Sequence, residues 1–149
     1  MRAAAGLAAA LLLAGCAARD PSAPPRIAYG EHACARCGML TADARFASAA
    51  VEPDGAAHVY DDIGCLLEVW RSGALTGMRL WVHDHESMAW IRAEAATFVL
   101  APGIESPMGF GLAAFAGPED AVAFAAQAGA RSLSWLELVS SPPTGGSTP

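Results

Sequence analysis

Arg45-Phe46-Ala47-Ser48-Ala49-Ala50-Val51-Glu52-Pro53-Asp54-Gly55-Ala56-Ala57-His58-Val59-Tyr60-Asp61-Asp62-Ile63-Gly64-Cys65-Leu66-Leu67-Glu68-Val69-Trp70-Arg71-Ser72-Gly73 is the stretch from which the architecture can be read. Residues 45–52 are β-like, Pro53-Asp54-Gly55 is a turn signal, and residues 57–61 read as a second strand. Asp61 or Asp62 can then cap a helix running to about residue 72, because Ile63, Leu66, Leu67 and Trp70 recur at the spacing that lines one helical face. Gly73 ends that helix, and residues 79–84 read as a third strand. The order is strand, strand, helix, strand.

The same order returns about fifty residues later, the period expected of a small structural repeat. Residues 95–101 read as a strand, 102–109 as a loop and 111–116 as a strand. Gly117-Pro118 opens a helix with Glu119 and Asp120 in its first turn, where negative charge suits the helix dipole. Gly129 closes it, and residues 132–139 read as the last strand. Phe46 matches Phe98, Tyr60 matches Phe115, and residues 79–83 match 133–137. The expectation is an α+β fold of two small ββαβ subdomains, about 31–88 and 89–139. Units this short bury little surface alone, so they should share a core or pack as a pair.

The ends of the chain read differently. Arg2 is followed by an apolar run over residues 3–13, then by Ala14-Gly15-Cys16. A positive start, a short apolar stretch and small residues at the cut describe a secretory signal over residues 1–15. A membrane span needs about 20 apolar residues, and Arg19 and Asp20 interrupt the run too soon. Leu13-Ala14-Gly15-Cys16 resembles the lipobox of bacterial lipoproteins, which implies that Cys16 is acylated, becomes the mature N-terminus and anchors the protein to a membrane, facing the periplasm. Ala17 does not resemble an inner-membrane retention residue, which favours the outer membrane. Residues 16–30 then form the lipidated N-terminus and a stiff, Pro-rich spacer, and residues 140–149 a disordered tail.

The formal net charge is −6 and no lysine occurs. That balance argues against nucleic acid or an anionic membrane surface as partner and is compatible with attracting a cation. Beyond Cys16 three cysteines remain, Cys34, Cys37 and Cys65. An odd set of thiols in an oxidising compartment leaves at least one free, paired outside the chain or bound to something.

The sharpest local feature is Cys34-Ala35-Arg36-Cys37-Gly38-Met39. Two thiols and a thioether at this density select Cu(I), with zinc as the usual competitor for thiolates. Gly38 lets the backbone turn so that Cys37 and Met39 can face one centre, while Arg36 and neighbouring N–H groups favour the thiolate form. His32 is a nitrogen donor close by. The motif alone also fits a disulfide, a redox pair or half a zinc knuckle. Haem attachment would need His at position 38, and a thioredoxin-like motif would need a preceding strand, which the sequence does not offer. In Tyr60-Asp61-Asp62-Ile63-Gly64-Cys65, Cys65 falls in the first helical turn, where the dipole lowers a thiol pKa; the plainer reading is an aspartate cap followed by a small core residue. Ser106-Pro107-Met108-Gly109-Phe110-Gly111 sets a methionine in a loop, where core packing is a poor explanation for it. His83-Asp84-His85 at a strand end offers an imidazole oriented by a carboxylate, or simply a solvated cluster. Met78, Met88 and the four tryptophans read as packing residues. There is no Gly-rich phosphate loop, nucleophile elbow or His-Glu-x-x-His, so an enzyme is not expected.

Taken in order, the lipobox, Cys-x-x-Cys-Gly-Met, Tyr-Asp-Asp-Ile-Gly-Cys, the His-Asp strand end and the Pro-Met-Gly loop resemble the NosL family, copper-chaperone lipoproteins associated with nitrous oxide reductase assembly. The resemblance covers about residues 31–139. It implies two ββαβ subdomains, one bound Cu(I), and delivery to a maturation complex with an ABC-type transporter. It implies Cys37, Met39 and Met108 as ligands with Cys34 behind them; Cys65, His32 and His83 stand as further candidates. Two departures matter. Phe110 and Gly111 follow the Pro-Met-Gly loop where many members carry His and an acidic residue, and the Asp-Asp-Ile-Gly-Cys form resembles a broader branch that need not serve nitrous oxide reductase. The expected function is a periplasm-facing Cu(I) metallochaperone lipoprotein. The alternatives are a thiol–disulfide protein using Cys34 and Cys37, or a structural zinc module using Cys34, Cys37, Cys65 and a His.

Overall fold

The computed structural model describes residues 20–141; the signal sequence, Cys16 and residues 142–149 of the tail lie outside the described residues. The elements run β1 (Ser48–Val51), β2 (Ala57–Tyr60), α1 (Ile63–Arg71), β3 (Arg79–His83), β4 (Trp90–Arg92), β5 (Thr97–Leu100), β6 (Leu112–Phe115), α2 (Pro118–Gln127), β7 (Ser132–Ser134) and α3 (Trp135–Ser140), with a 3-10 turn over Ala93–Ala95. Two antiparallel sheets result, ordered β2-β1-β3-β4 and β6-β5-β7. Each places the first strand of its unit between the second and third, which is the ββαβ pattern made twice.

The units share one core. Tyr60, Ile63, Leu66, Leu80 and Val82 of the first pack with Phe98, Leu112, Ala114 and Leu133 of the second. Alternation along β5 and β6 explains how. Phe98, Leu112 and Ala114 face that core, while Val99, Ala113 and Phe115 face a second cluster with Ala121 and Ala125 of α2. The second sheet is therefore buried on both sides. Asp84, just after β3, ties the units by accepting from the Ala116 N–H at 2.9 Å, and the His85 N–H donates to the Ala114 carbonyl at 2.7 Å.

Three features depart from the sequence reading. The first sheet gains β4, so it extends past residue 88, where the sequence divides the units. Trp90-Ile91-Arg92 is too short to show a strand period, and the preceding turn holds Met88 at a φ of 57° where glycine is the usual signal. The last expected strand stops at Ser134. There Ser134 and Glu137 form a capping box, the Ser134 side chain accepting the Glu137 N–H and the Glu137 carboxylate accepting the Ser134 N–H at 2.7 Å, and α3 begins. Finally, residues 20–30 do not stand away as a spacer. The Arg79 guanidinium donates to the Pro21 carbonyl at 3.2 Å, the Tyr29 hydroxyl meets His83 Nε2 at 3.3 Å, and Pro24 and Pro25 wall a groove with Val51, Ala57 and Val59. The segment is a strap across the face of the first sheet that points away from the core. Among the described residues no helix is long and apolar enough to cross a membrane.

Candidate metal centre

The Cys-x-x-Cys motif forms a tight knuckle. The Cys34 N–H donates to the Met39 carbonyl at 2.7 Å and the Gly38 N–H to the Cys34 carbonyl at 2.9 Å, closed by a bridge between Ala33 and Leu40. Gly38 makes the reversal at a φ of 77°, a conformation that costs other residues about 1 kcal/mol. The Ala35 N–H donates to the Val59 carbonyl at 2.8 Å, docking the knuckle on β2. That places it against the end of the same strand, where Asp61 and Asp62 lead into α1.

The two adjacent aspartates divide their work. Asp62 caps α1, its Oδ1 accepting the Gly64 N–H at 2.8 Å. Asp61 instead turns to the thiols. The ligand atoms of Cys34, Cys37, Asp61 and Cys65 all lie within 4.8 Å of one another. Cys34 and Cys65 are buried and Cys37 is half-buried, so Cys37 is the sulfur at the mouth; all three are free thiols. Cys37 Sγ donates to Asp61 Oδ1 at 3.5 Å, while Asp61 Oδ2 is buried with no partner. A buried carboxylate oxygen left unpaired among thiols is costly, and a bound cation would satisfy it. The site thus fits a metal by its own chemistry.

The electrostatics are uneven. The hydrogen bond from Cys65, backed by backbone N–H groups of the knuckle, outweighs burial and brings the Cys34 thiol down to about 4. Cys65, donating to Cys34 and buried, is pushed far up. Burial raises Cys37, and burial first, then the Cys34 contact, raises Asp61 to about 6. Cys34 is therefore the thiol that gives up its proton most readily, Cys37 and Cys65 resist doing so, and a bound cation would favour the deprotonated form of all three. Arg36, ion-paired with Glu68, sets its guanidinium over the Phe110 ring at 5.9 Å and approaches Cys65 Sγ at 4.0 Å.

The second unit closes over this site. Asp62 Oδ2 is buried and accepts the Ser106 hydroxyl at 2.7 Å and the Met108 N–H at 3.0 Å. One carboxylate thus caps the helix carrying Cys65 and pins the loop carrying Met108. Gly64 allows the approach, because a Cβ there would lie 1.9 Å from the Phe110 ring. Met108, like Cys37, is half-buried and packs against the core cluster to which Cys34 and Cys65 belong. Met39, beside Cys37, is 52% exposed. His32 and His83 are not in the four-residue group. His32 Nδ1 accepts the Ala28 N–H at 3.1 Å, and His83 is engaged by Ala47 and Tyr29. The cluster's fourth donor is thus Asp61 in place of a histidine. Sequence reasoning treated Asp61 only as one of two possible caps; the signal was that a helix needs one cap and the chain supplies two aspartates.

A family model described as NosL matches residues 27–141. The fold is similar to that in the crystal structure of the copper chaperone NosL from Shewanella denitrificans, with a TM-score of 0.64 and 22% identity, covering 76% of this chain and 96% of that one. No curated protein matches the sequence.

Proposed function

Because the chain belongs to the NosL family, we propose that it carries Cu(I) as cargo and hands it to a cuproenzyme or its assembly machinery, without catalysing a reaction. The observation that carries this is the convergence of three thiols and one carboxylate within 4.8 Å, next to Asp62, which pins the backbone of the loop carrying Met108. Thiolate and thioether donors favour Cu(I) over harder ions. Cys37, Met39 and Met108 supply the exchangeable ligands at the mouth, Cys34 lies behind as the resting thiolate, and Cys65 and Asp61 line the floor. Transfer is then a ligand exchange with no change of oxidation state, each Cu–S bond to this chain being replaced by one to the acceptor. A donor from the acceptor adds to Cu(I) at the half-buried Cys37, and the Met108 and Cys37 contacts release in turn.

The remaining features of the reading extend this role. Acylated Cys16 anchors the protein to a membrane facing the periplasm, with the outer membrane favoured. The recipient is a cuproenzyme; the family resemblance points to nitrous oxide reductase, reached through a maturation complex with an ABC-type transporter, while the Asp-Asp-Ile-Gly-Cys form leaves room for another. Cu(I) titration of the reduced protein against a competing chelator, with Zn(II) titrated separately, tests the central claim. One tightly held Cu(I), lost when Cys37→Ala and Met108→Ala are combined, is expected; unchanged Cu(I) affinity in that double variant would sink the assignment. A second reading, a structural zinc site, is favoured by the four-donor Cys34-Cys37-Asp61-Cys65 grouping. It predicts tight Zn(II) and unfolding on chelation.

A further inference from the structure

The β3–β4 hairpin carries a soft donor pair that the centre above does not use. Met88 is the only non-glycine residue among those described with a positive φ, 57°, and its side chain is 54% exposed. Its N–H donates to the Asp84 carbonyl at 2.9 Å, closing the turn. Glycine fills such a turn position without strain, and an exposed methionine gains little from burial there. An observed backbone outlier of this kind is a reason to ask what its side chain does.

Met88 lines an open cavity of about 580 Å³ with Tyr29, His83, Trp90 and Arg26. His83 is 3% exposed, pairs with Trp90 across the ladder, and stacks on its ring with centroids 3.6 Å apart. The imidazole's protonation follows from its partners. Nδ1 lies 2.9 Å from the Ala47 carbonyl, which can only accept, so Nδ1 carries the hydrogen and Nε2 presents a lone pair. Facing Nε2 is the Tyr29 hydroxyl at 3.3 Å, a long contact from a residue that is 41% exposed.

We infer that His83 Nε2 and Met88 Sδ form a second, weaker Cu(I) site under the N-terminal strap, walled by Trp90 and gated by Tyr29. The donor set selects the ion. One neutral nitrogen and one thioether suit a soft monovalent cation. No carboxylate lines the cavity, so the oxygen donors that hard divalent ions require are missing from its wall. The site lies on the opposite face of the first sheet from the core that holds the thiols, and it makes the chain a carrier of two ions. This builds on the copper-carrying reading only in the choice of cargo; the residues are separate.

The test is a Cu(I) titration of the reduced protein with a chromophoric competing chelator, followed in parallel by tryptophan fluorescence. Wild type should take up a second equivalent, at least tenfold weaker than the first, whose binding quenches tryptophan emission. Met88→Leu, an exposed change of similar volume, should abolish the second equivalent and its quenching and leave the first intact. Cys37→Ala with Met108→Leu should do the reverse. A single equivalent in wild type, or a second one that survives Met88→Leu, overturns the inference. Loss of neither equivalent in the Cys37/Met108 variant overturns the thiol centre instead, so the two failures are distinguishable.

Discussion

Asp62→Asn is the sharpest test of how the two units cooperate. The amide keeps one oxygen, which can still accept the Gly64 N–H that caps α1. The other position becomes an NH₂ group and meets the Met108 N–H donor against donor, while the Ser106 hydroxyl can reverse and accept. The net loss is one buried hydrogen bond to a charged acceptor plus an unsatisfied N–H, about 2–3 kcal/mol. A domain of ordinary stability, about 5–15 kcal/mol, survives that, so the variant should fold with a lowered urea midpoint. The released loop must then be ordered again when Met108 is recruited. Fixing one residue costs about 1–2 kcal/mol, which weakens Cu(I) binding by about 5- to 30-fold at 1.4 kcal/mol per decade. Urea unfolding and chelator competition on the same preparation read both effects. In a Met108→Leu background the copper effect of Asp62→Asn should vanish while its stability effect remains. Wild-type Cu(I) affinity in the destabilised single variant would refute the idea that Asp62 positions Met108.

Gly64→Ala should cost about 3 kcal/mol or more, since the new Cβ would lie 1.9 Å from the Phe110 ring and the ring must leave its buried seat; thermal unfolding checks it, and Gly64→Ala with Phe110→Leu should recover part of the loss. Ser134→Ala removes the α3 cap and should lower stability by about 1 kcal/mol, measured by chemical denaturation. The Ser134 backbone N–H, then its hydroxyl, holds the Glu137 carboxyl below the usual range, so this box stabilises above the unfolded glutamate value, about 4.3, and its contribution fades as pH falls through the lower folded value. The gap between wild type and Ser134→Ala should accordingly narrow below pH 4. Met88→Gly should raise stability by about 1 kcal/mol through relief of the left-handed backbone, seen as a higher melting temperature.

Much of this molecule was legible because its elements are locally consistent. The Pro53-Asp54-Gly55 turn, the one-faced Ile63-Leu66-Leu67-Trp70 row and the Gly117-Pro118 helix start all stand where the sequence puts them. The two units share a core because β5 and β6 carry apolar side chains on both faces, a pattern that reads as a buried sheet. The misses have local causes. In residues 132–139 apolar positions suit a strand as well as a short helix, and the Ser134–Glu137 box outweighs that ambiguity. At β4 the turn lacks glycine, so nothing marks a hairpin. The site was legible in its sulfurs, which are rare and chemically distinctive. Asp61 was not, because proximity between a strand end and a knuckle more than twenty residues earlier is a tertiary fact. Nor was the pinning of Met108, which depends on the second oxygen of a carboxylate already explained by its capping role.

The strap alters what a lipid tether would mean. Its described part is already held to the first sheet by Arg79 on Pro21. If Cys16 bears the lipid, the chain from there to Asp20 can span at most about 15 Å. A long flexible leash would let the copper site sample a wide shell above the bilayer; this short one holds the body almost against the headgroups. The protein then cannot range through the bulk of the compartment, so the recipient or its maturation complex must reach the copper site at the membrane surface. Confinement to that thin layer raises the local concentration of the site and lets a weak, readily broken docking contact suffice.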